Sequence, residues 1–180
     1  GNVINPYDEI EWLQSLGVEQ ETAIDYFRYF LMKEVPFGQD GNYSRQNFIN
    51  IINADLANNI GNLLQRNLKF IQKNFSSKLT KTANSDETIK KIIQQWKGED
   101  CDMDQLYQKQ HNITNCDFDK VLAEIISLAS IINKYFDDGK PWKKIKDDQI
   151  LETQTILFVT SEFLRIIAIL LLPFIPHSAN

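Results

Sequence analysis

Between residues 53 and 75 the apolar positions recur every three or four residues. At about 100° per residue, Leu56, Ile60, Leu63, Leu64, Leu68, Ile71 and Phe75 gather on one side of a helix, with Asn62, Arg66, Lys69 and Lys73 on the opposite side. The first face is suited to burial, the second to solvent or to a ligand. The same periodicity predicts a helix over 118–136, carried by Val121, Leu122, Ile125, Ile126, Ala129 and Ile132. A final long helix over 148–172 adds Ile150, Leu151, Ile156, Val159, Phe163, Ile166 and Leu170 to the same core. Shorter helices are expected over 19–33 and 88–96, and another starts at Asn5 and Pro6 and ends by Gly17. Ser44 is placed to cap the helix that runs on to Phe75, with a bend expected near Asn53. Pro36, Gly38 and Gly41 break the period into a loop, and the 76–117 stretch reads as a polar connection around the short 88–96 helix. No run of alternating strand residues occurs, so the predicted class is all-α, a helical bundle.

With 180 residues, 43% of them hydrophobic, the chain can form one sizeable core or two small packed units. The apolar run from Ile166 to Leu172 is stopped by Pro173 and falls short of the roughly 20 residues that span a bilayer, which predicts a buried core helix and no membrane partner. The opening GNVINPYDEI has no signal-peptide pattern and reads as the continuation of a longer protein. Cys101 and Cys116 are isolated from each other and from paired histidines, so two reduced thiols in a cytoplasmic protein are expected, with no zinc or redox site. Glu99, Asp100, Asp102 and Asp104 read as a solvated acidic loop, with no metal assigned to it.

Charge is distributed unevenly. A net charge of −5 argues against indiscriminate nucleic-acid binding, DNA included. Yet residues 56–85 hold no acid and carry Arg66, Lys69, Lys73, Lys78 and Lys81, a basic stripe on an acidic protein. His111 and His177 have no nucleophile or carboxylate pair arranged around them, and neither a Walker loop nor GxGxxG occurs. Binding is therefore the expected function, with no catalytic residue in this chain.

Two patterns could bind. Asn62 and Arg66 stand one helical turn apart, and together an amide and a planar guanidinium fork can read base edges or grip phosphate. On pattern alone the solvated-face reading is favoured, since nearly every amphipathic helix has a polar side. The second pattern is KPWKKIK, residues 140–146, where Pro141 fixes its own φ and is expected to push Lys140 into an extended conformation. Trp142 then either plugs the end of the bundle or offers a stacking platform for a base, beside Lys143, Lys144 and Lys146.

Taken together, EVPFGQDGNYS (34–44), NADLANNIGNLLQR (53–66) and NKYFDDGKPW (133–142) resemble the methionyl-tRNA synthetase family. GNVINP is similar to the continuation of the KMSKS loop of class I synthetases, whose catalytic lysines would lie upstream, and IDYFRYFLM (24–32) is shared with the valyl, leucyl, isoleucyl and cysteinyl enzymes. The resemblance implies a stem-contact segment over 1–43 and an anticodon-binding bundle of the class I type over 44–180. It places Asn62 and Arg66 on the family's anticodon-contacting Asn and Arg, and Trp142 on its base-stacking Trp. Pro141, Asn133, Lys69 and Lys73 would support them, with Tyr135 on the same helix as Asn133. The implied partners are the anticodon loop of methionine tRNA, with its unpaired CAU, and the catalytic domain of the same ligase. No cofactor is expected on this bundle; ATP and Mg²⁺ belong to the catalytic domain.

Lys143, Lys144 and Ile145 depart from the Leu-Ala-Lys type continuation of the family, and 17–23 is longer and more acidic than usual. PFIPHSAN stops where related chains form a further helix, which predicts a bundle truncated there and exposed apolar surface near Leu171, Phe174 and Ile175. The rival readings are another class I synthetase and a noncatalytic tRNA-binding or helical interaction module.

Overall fold

The computed structural model of the chain describes residues 3–35, 38, 41, 43–98 and 117–180. The candidate residues Pro36, Glu99, Asp100, Cys101, Asp102, Asp104, His111 and Cys116 lie outside that range. Among the described residues there are only helices: α1 (Pro6–Ser15), α2 (Gln20–Glu34), α3 (Arg45–Ile51), a π-helical segment (Ile52–Gly61), α4 (Asn62–Phe75), α5 (Ser85–Lys97), α6 (Phe118–Gly139), α7 (Pro141–Lys144) and α8 (Ile150–Leu171). The all-α expectation holds, and helix ends fall within about three residues of those read from periodicity. Two N-terminal caps are formed as predicted. The Asn5 side chain accepts from the Tyr7 N–H at 3.2 Å and the Ser44 hydroxyl from the Asn47 N–H at 3.1 Å.

At the centre stands α8, packed against α4, α5, α6 and α7. By length and composition α8 could cross a membrane. Its Leu157, Val159, Phe163, Ile166 and Ile167 are instead fully enclosed by the other helices, as the sequence reading of a core helix anticipated. An aromatic cluster of Phe27, Phe30, Tyr43 and Phe48 joins α1, α2 and α3, with Trp12 set edge-on to Phe48 at 6.1 Å. Such pairs contribute about 0.5–1.5 kcal/mol each beyond the area they bury.

Two expectations need correction. Near Asn53, where a bend is expected from the sequence, residues 52–61 widen into a π-helix, in which the Asn62 N–H reaches back five residues to the Ala57 carbonyl. Each residue of this wider turn advances less than 100°, so a constant-pitch projection fails beyond it. The predicted apolar stripe is also split within α4 itself, whose buried line runs through Leu63, Asn67 and Ile71 and leaves Leu64 and Leu68 to one side. Leu63 and Ile71 are buried, whereas Leu64 is 42% and Leu68 53% exposed. These two line an open groove of about 610 Å³ shared with Leu164, Ala168 and Leu171.

The second correction concerns the far end of the chain, where Leu171, Phe174 and Ile175 are buried rather than exposed. Helix α2 captures that segment. Arg28 donates to the carbonyls of Pro173 and Phe174 at 3.0 and 3.1 Å, and the buried Asp25 accepts from the Ser178 N–H at 2.6 Å. These side chains satisfy main-chain groups that follow the last helix, where no further helical turn supplies partners.

Candidate nucleic-acid interface

The turn after α6 determines where Trp142 goes. Gly139 is set by close approach, since a Cβ there would meet the Ile156 Cδ1 of α8 at 2.8 Å and force that side chain to shift. Lys140 then takes a left-handed conformation, φ 46° and ψ 57°, in place of the extended one expected before a proline. That conformation costs a non-glycine residue about 1–2 kcal/mol. It reverses the chain so that Pro141 can start α7 at the position where its missing N–H is not needed. Pro141 is buried, and the Lys143 N–H closes the turn on the Lys140 carbonyl at 2.8 Å. The four-residue helix is thus anchored at its base and carries Trp142 outward.

Trp142 is 41% exposed, so it does not plug the bundle. Its ring meets that of the buried Phe136 at 6.1 Å and 51°. Arg66, approaching from α4, lays its guanidinium 4.9 Å from the Phe136 centroid and 5.9 Å from that of Trp142. A 2.5 Å contact with the Asp137 carboxylate orients it further. Around this contact lies a shallow basin of about 250 Å³, lined by Arg66, Lys69, Phe70, Lys73, Phe136 and Trp142. Its aromatic residues can stack a flat ring, and its three cations can hold a phosphodiester backbone.

The basin brings together Arg66, Lys69, Lys73 and Trp142, which α4 and α7 contribute from residues far apart in the chain. Asn62 is exposed one turn before Arg66 and does not line it. Asn133 faces elsewhere: its amide donates to the Asn59 main-chain and side-chain oxygens at 2.9 and 2.7 Å. Tyr135 is half-buried, and that burial pushes its phenol up to about 12. Phe70, Phe136 and Asp137 were missed in the sequence. Phe70 could have been found, because it shares the Arg66 face at i+4. The Arg66–Asp137 pair spans 71 residues and had no local signal. Among the described residues, no group of three His, Cys, Asp or Glu side chains is arranged to hold a metal ion.

An all-helical bundle with an aromatic, basic basin at one edge has the features of the RNA-binding part of a class I aminoacyl-tRNA synthetase, and residues 12–68 match the family described as tRNA synthetases class I (M). Residues 93–180 match the anticodon binding domain of methionyl tRNA ligase. The chain belongs to the methionyl-tRNA synthetase family. The methionine–tRNA ligase of Rickettsia conorii is 40% identical over 184 residues, covering all of this chain and 33% of the relative. That of Brucella suis biovar 1 is 37% identical over 180 residues, again covering all of this chain and 32% of the relative. The chain spans about a third of the length of the curated relatives it matches. The apo, free-state methionyl-tRNA synthetase of Mycobacterium tuberculosis superposes with a TM-score of 0.76 at 31% identity, over 98% of this chain and 33% of that one.

Proposed function

We propose that this chain recognises the CAU anticodon of methionine tRNAs for an ATP-dependent methionine–tRNA ligase. Trp142 stacks on the first anticodon base, which leaves its tRNA stack and rests on the exposed indole. Asn62 and Arg66 read Watson–Crick edges, the amide offering one donor and one acceptor face and the guanidinium a fixed fork. Lys69 and Lys73 attract the phosphates between the bases. The observation that most supports this reading is the convergence of Arg66 and Trp142, with 5.9 Å between guanidinium and indole centroid.

Recognition is this region's part in the reaction. In the ligase, a catalytic domain using ATP and Mg²⁺ forms methionyl adenylate and passes the acyl group to the terminal adenosine of the tRNA. Residues 1–43 form the stem-contact segment that joins the two parts, and residues 44–180 the bundle that reads the anticodon. A cytoplasmic location belongs to the same reading.

Titration of the chain against anticodon stem-loops tests it through Arg66→Ala. A base-reading guanidinium predicts a loss of about 1–3 kcal/mol for the CAU loop and a much smaller loss for loops with altered anticodons. Equal losses for every loop would reduce Arg66 to a phosphate contact and overturn base reading at that position.

A further inference from the structure

Two side chains outside the basin connect its two halves. Asn59 lies in the π segment and Asn133 in α6, 74 residues apart. The Asn133 amide nitrogen donates to the Asn59 main-chain carbonyl at 2.9 Å, to the Asn59 side-chain oxygen at 2.7 Å and to its own helix at the Ala129 carbonyl, 3.1 Å away. In return the Asn59 amide nitrogen donates to the Ser130 hydroxyl at 3.1 Å and, more weakly, to the Ile126 carbonyl at 3.4 Å. The Asn59 amide therefore spends both its donor and its acceptor on the junction between the π segment and α6, while Asn133 shares its two N–H groups between that junction and the Ala129 carbonyl of its own helix.

The location of this junction matters. Seven residues after Asn59 comes Arg66, and one helical turn after Asn133 comes Asp137, the carboxylate that Arg66 meets. The π pitch determines which way Arg66 faces, because every residue held in the wider turn changes the phase of all that follow. A second contact secures the other end of the segment: the Tyr29 hydroxyl donates to Asp55 at 2.8 Å, with Lys33 at 3.8 Å from the same carboxylate oxygen. Where the segment passes into α4, a Cβ on Gly61 would stand 3.1 Å from the Leu56 carbonyl, so a side chain there crowds the π turn. A π-helix is normally a single turn, and ten residues of it require tertiary contacts to prevail over the α alternative.

We infer that Asn59 and Asn133 are positioning residues: their amide clasp holds the π segment in register so that Arg66 faces Trp142 and the anticodon. This rests on the anticodon-reading function proposed above. Neither residue lines the basin, and both act through Arg66. The clasp connects the π segment, which runs straight into α4, to α6, and α6 leads directly into the turn that carries Trp142, so one pair of hydrogen-bonded amides coordinates both arms of the reader.

The test is the affinity ratio between a CAU stem-loop and a stem-loop with a changed first anticodon base, read alongside melting temperature for each variant of the full chain. Asn59→Ala and Asn133→Ala should each lower the ratio about fivefold, and the double variant should do no more than either alone, as residues acting as one unit do. Gly61→Ala, which removes no polar group and favours a normal helix, should lower it in the same direction. The inference is overturned if Asn133→Ala lowers the ratio and Asn59→Ala does not, since Asn133 would then touch RNA itself. It is also overturned if the variants melt earlier with the ratio unchanged, which is a structural role only, or if the two effects add. Absence of discrimination in the wild-type chain, or its survival in Trp142→Ala, would instead overturn the anticodon-reading function, a result separable from the other three.

Discussion

The molecule uses the same three side-chain types twice, for opposite ends. At the α1–α3 junction Arg45 lies 4.6 Å over the Trp12 ring and pairs with Glu9; at the α4–α7 edge Arg66 lies 5.9 Å from the Trp142 ring and pairs with Asp137. Glu9 is buried at 8% exposure and accepts from Arg45 at 2.9 and 3.2 Å and from the Tyr43 hydroxyl at 2.5 Å. Its oxygens are committed, and the Trp12 ring is edge-packed on Phe48. The Asp137 side chain is 53% exposed, makes one contact to Arg66, and leaves Trp142 open to solvent. Arginine, tryptophan and a carboxylate therefore form a lock where their hydrogen-bonding capacity is used up; where it is left over, they supply the open surface that the proposed function assigns to RNA. Residue type alone does not separate the two; saturation and burial do.

The widest gap between the two regions should appear on deleting their aromatic support. Phe48 is 2% exposed and touches Trp12, Phe27 and Phe30. Phe48→Ala should cost about 3–5 kcal/mol of stability in chemical denaturation. At temperatures where the variant stays folded, its affinity for a CAU stem-loop should be unchanged. A loss of affinity larger than its unfolded fraction would mean the lock takes part in binding.

Neutralising each carboxylate sharpens the contrast further. Asp137→Asn removes a solvent-screened pair and should change stability by no more than about 1 kcal/mol. Glu9→Gln should lower the melting temperature by visibly more, because the amide keeps one acceptor oxygen of two, loses the charge that pairs with Arg45, and sets an NH2 group among the Tyr43 and Arg45 donors. If the two substitutions proved equal in melting experiments, burial would not be what divides these clusters.

A pH titration extends that comparison at the smallest scale. Burial works to raise the Glu9 pKa, but the hydrogen bonds from Arg45 and Tyr43 and the Arg45 charge prevail and hold it below its ordinary 4.5. With the folded pKa depressed, the unfolded chain binds the proton more readily. The contribution of Glu9 is therefore complete above about pH 4.5 and is lost as pH falls through the folded value. The stability difference between wild type and Glu9→Gln should narrow over that acid range; a constant difference would refute the assignment.

Much of the fold was legible in the sequence because helical periodicity is local. The caps at Asn5 and Ser44, the core role of α8 and the stop after Gly139 all depend on residues within a few positions of one another. What could not be read depends on contacts across the chain. The π segment is held by Tyr29, Ser130 and Asn133 from other helices, and the line of α4 that faces the core, through Leu63, Asn67 and Ile71, is chosen by packing, so a projection centred on the apolar residues wrongly assigns Leu64 and Leu68 to the core. The expectation of exposed apolar surface after α8 failed similarly, since Arg28 and Asp25 of α2 bind that segment and Phe174 and Ile175 are buried. For the site, the motifs located Arg66 and Trp142, but only the tertiary structure adds Phe136 as the floor and Asp137 as the carboxylate that orients the guanidinium. The left-handed Lys140 was also out of reach, because the general preference before proline yields here to the need to reverse the chain over Gly139.

The most direct test of the two-cluster account is an anisotropy titration of the CAU anticodon stem-loop with wild-type chain, Trp142→Ala and Trp12→Ala, each checked to be folded. Loss of a stacked base predicts weakening by about 1–3 kcal/mol for Trp142→Ala. Trp12→Ala should bind the loop as wild type does, its cost confined to melting temperature. Equal affinities for wild type and Trp142→Ala, or equal losses in both tryptophan variants, would contradict the assignment of the receptor to the α4–α7 edge.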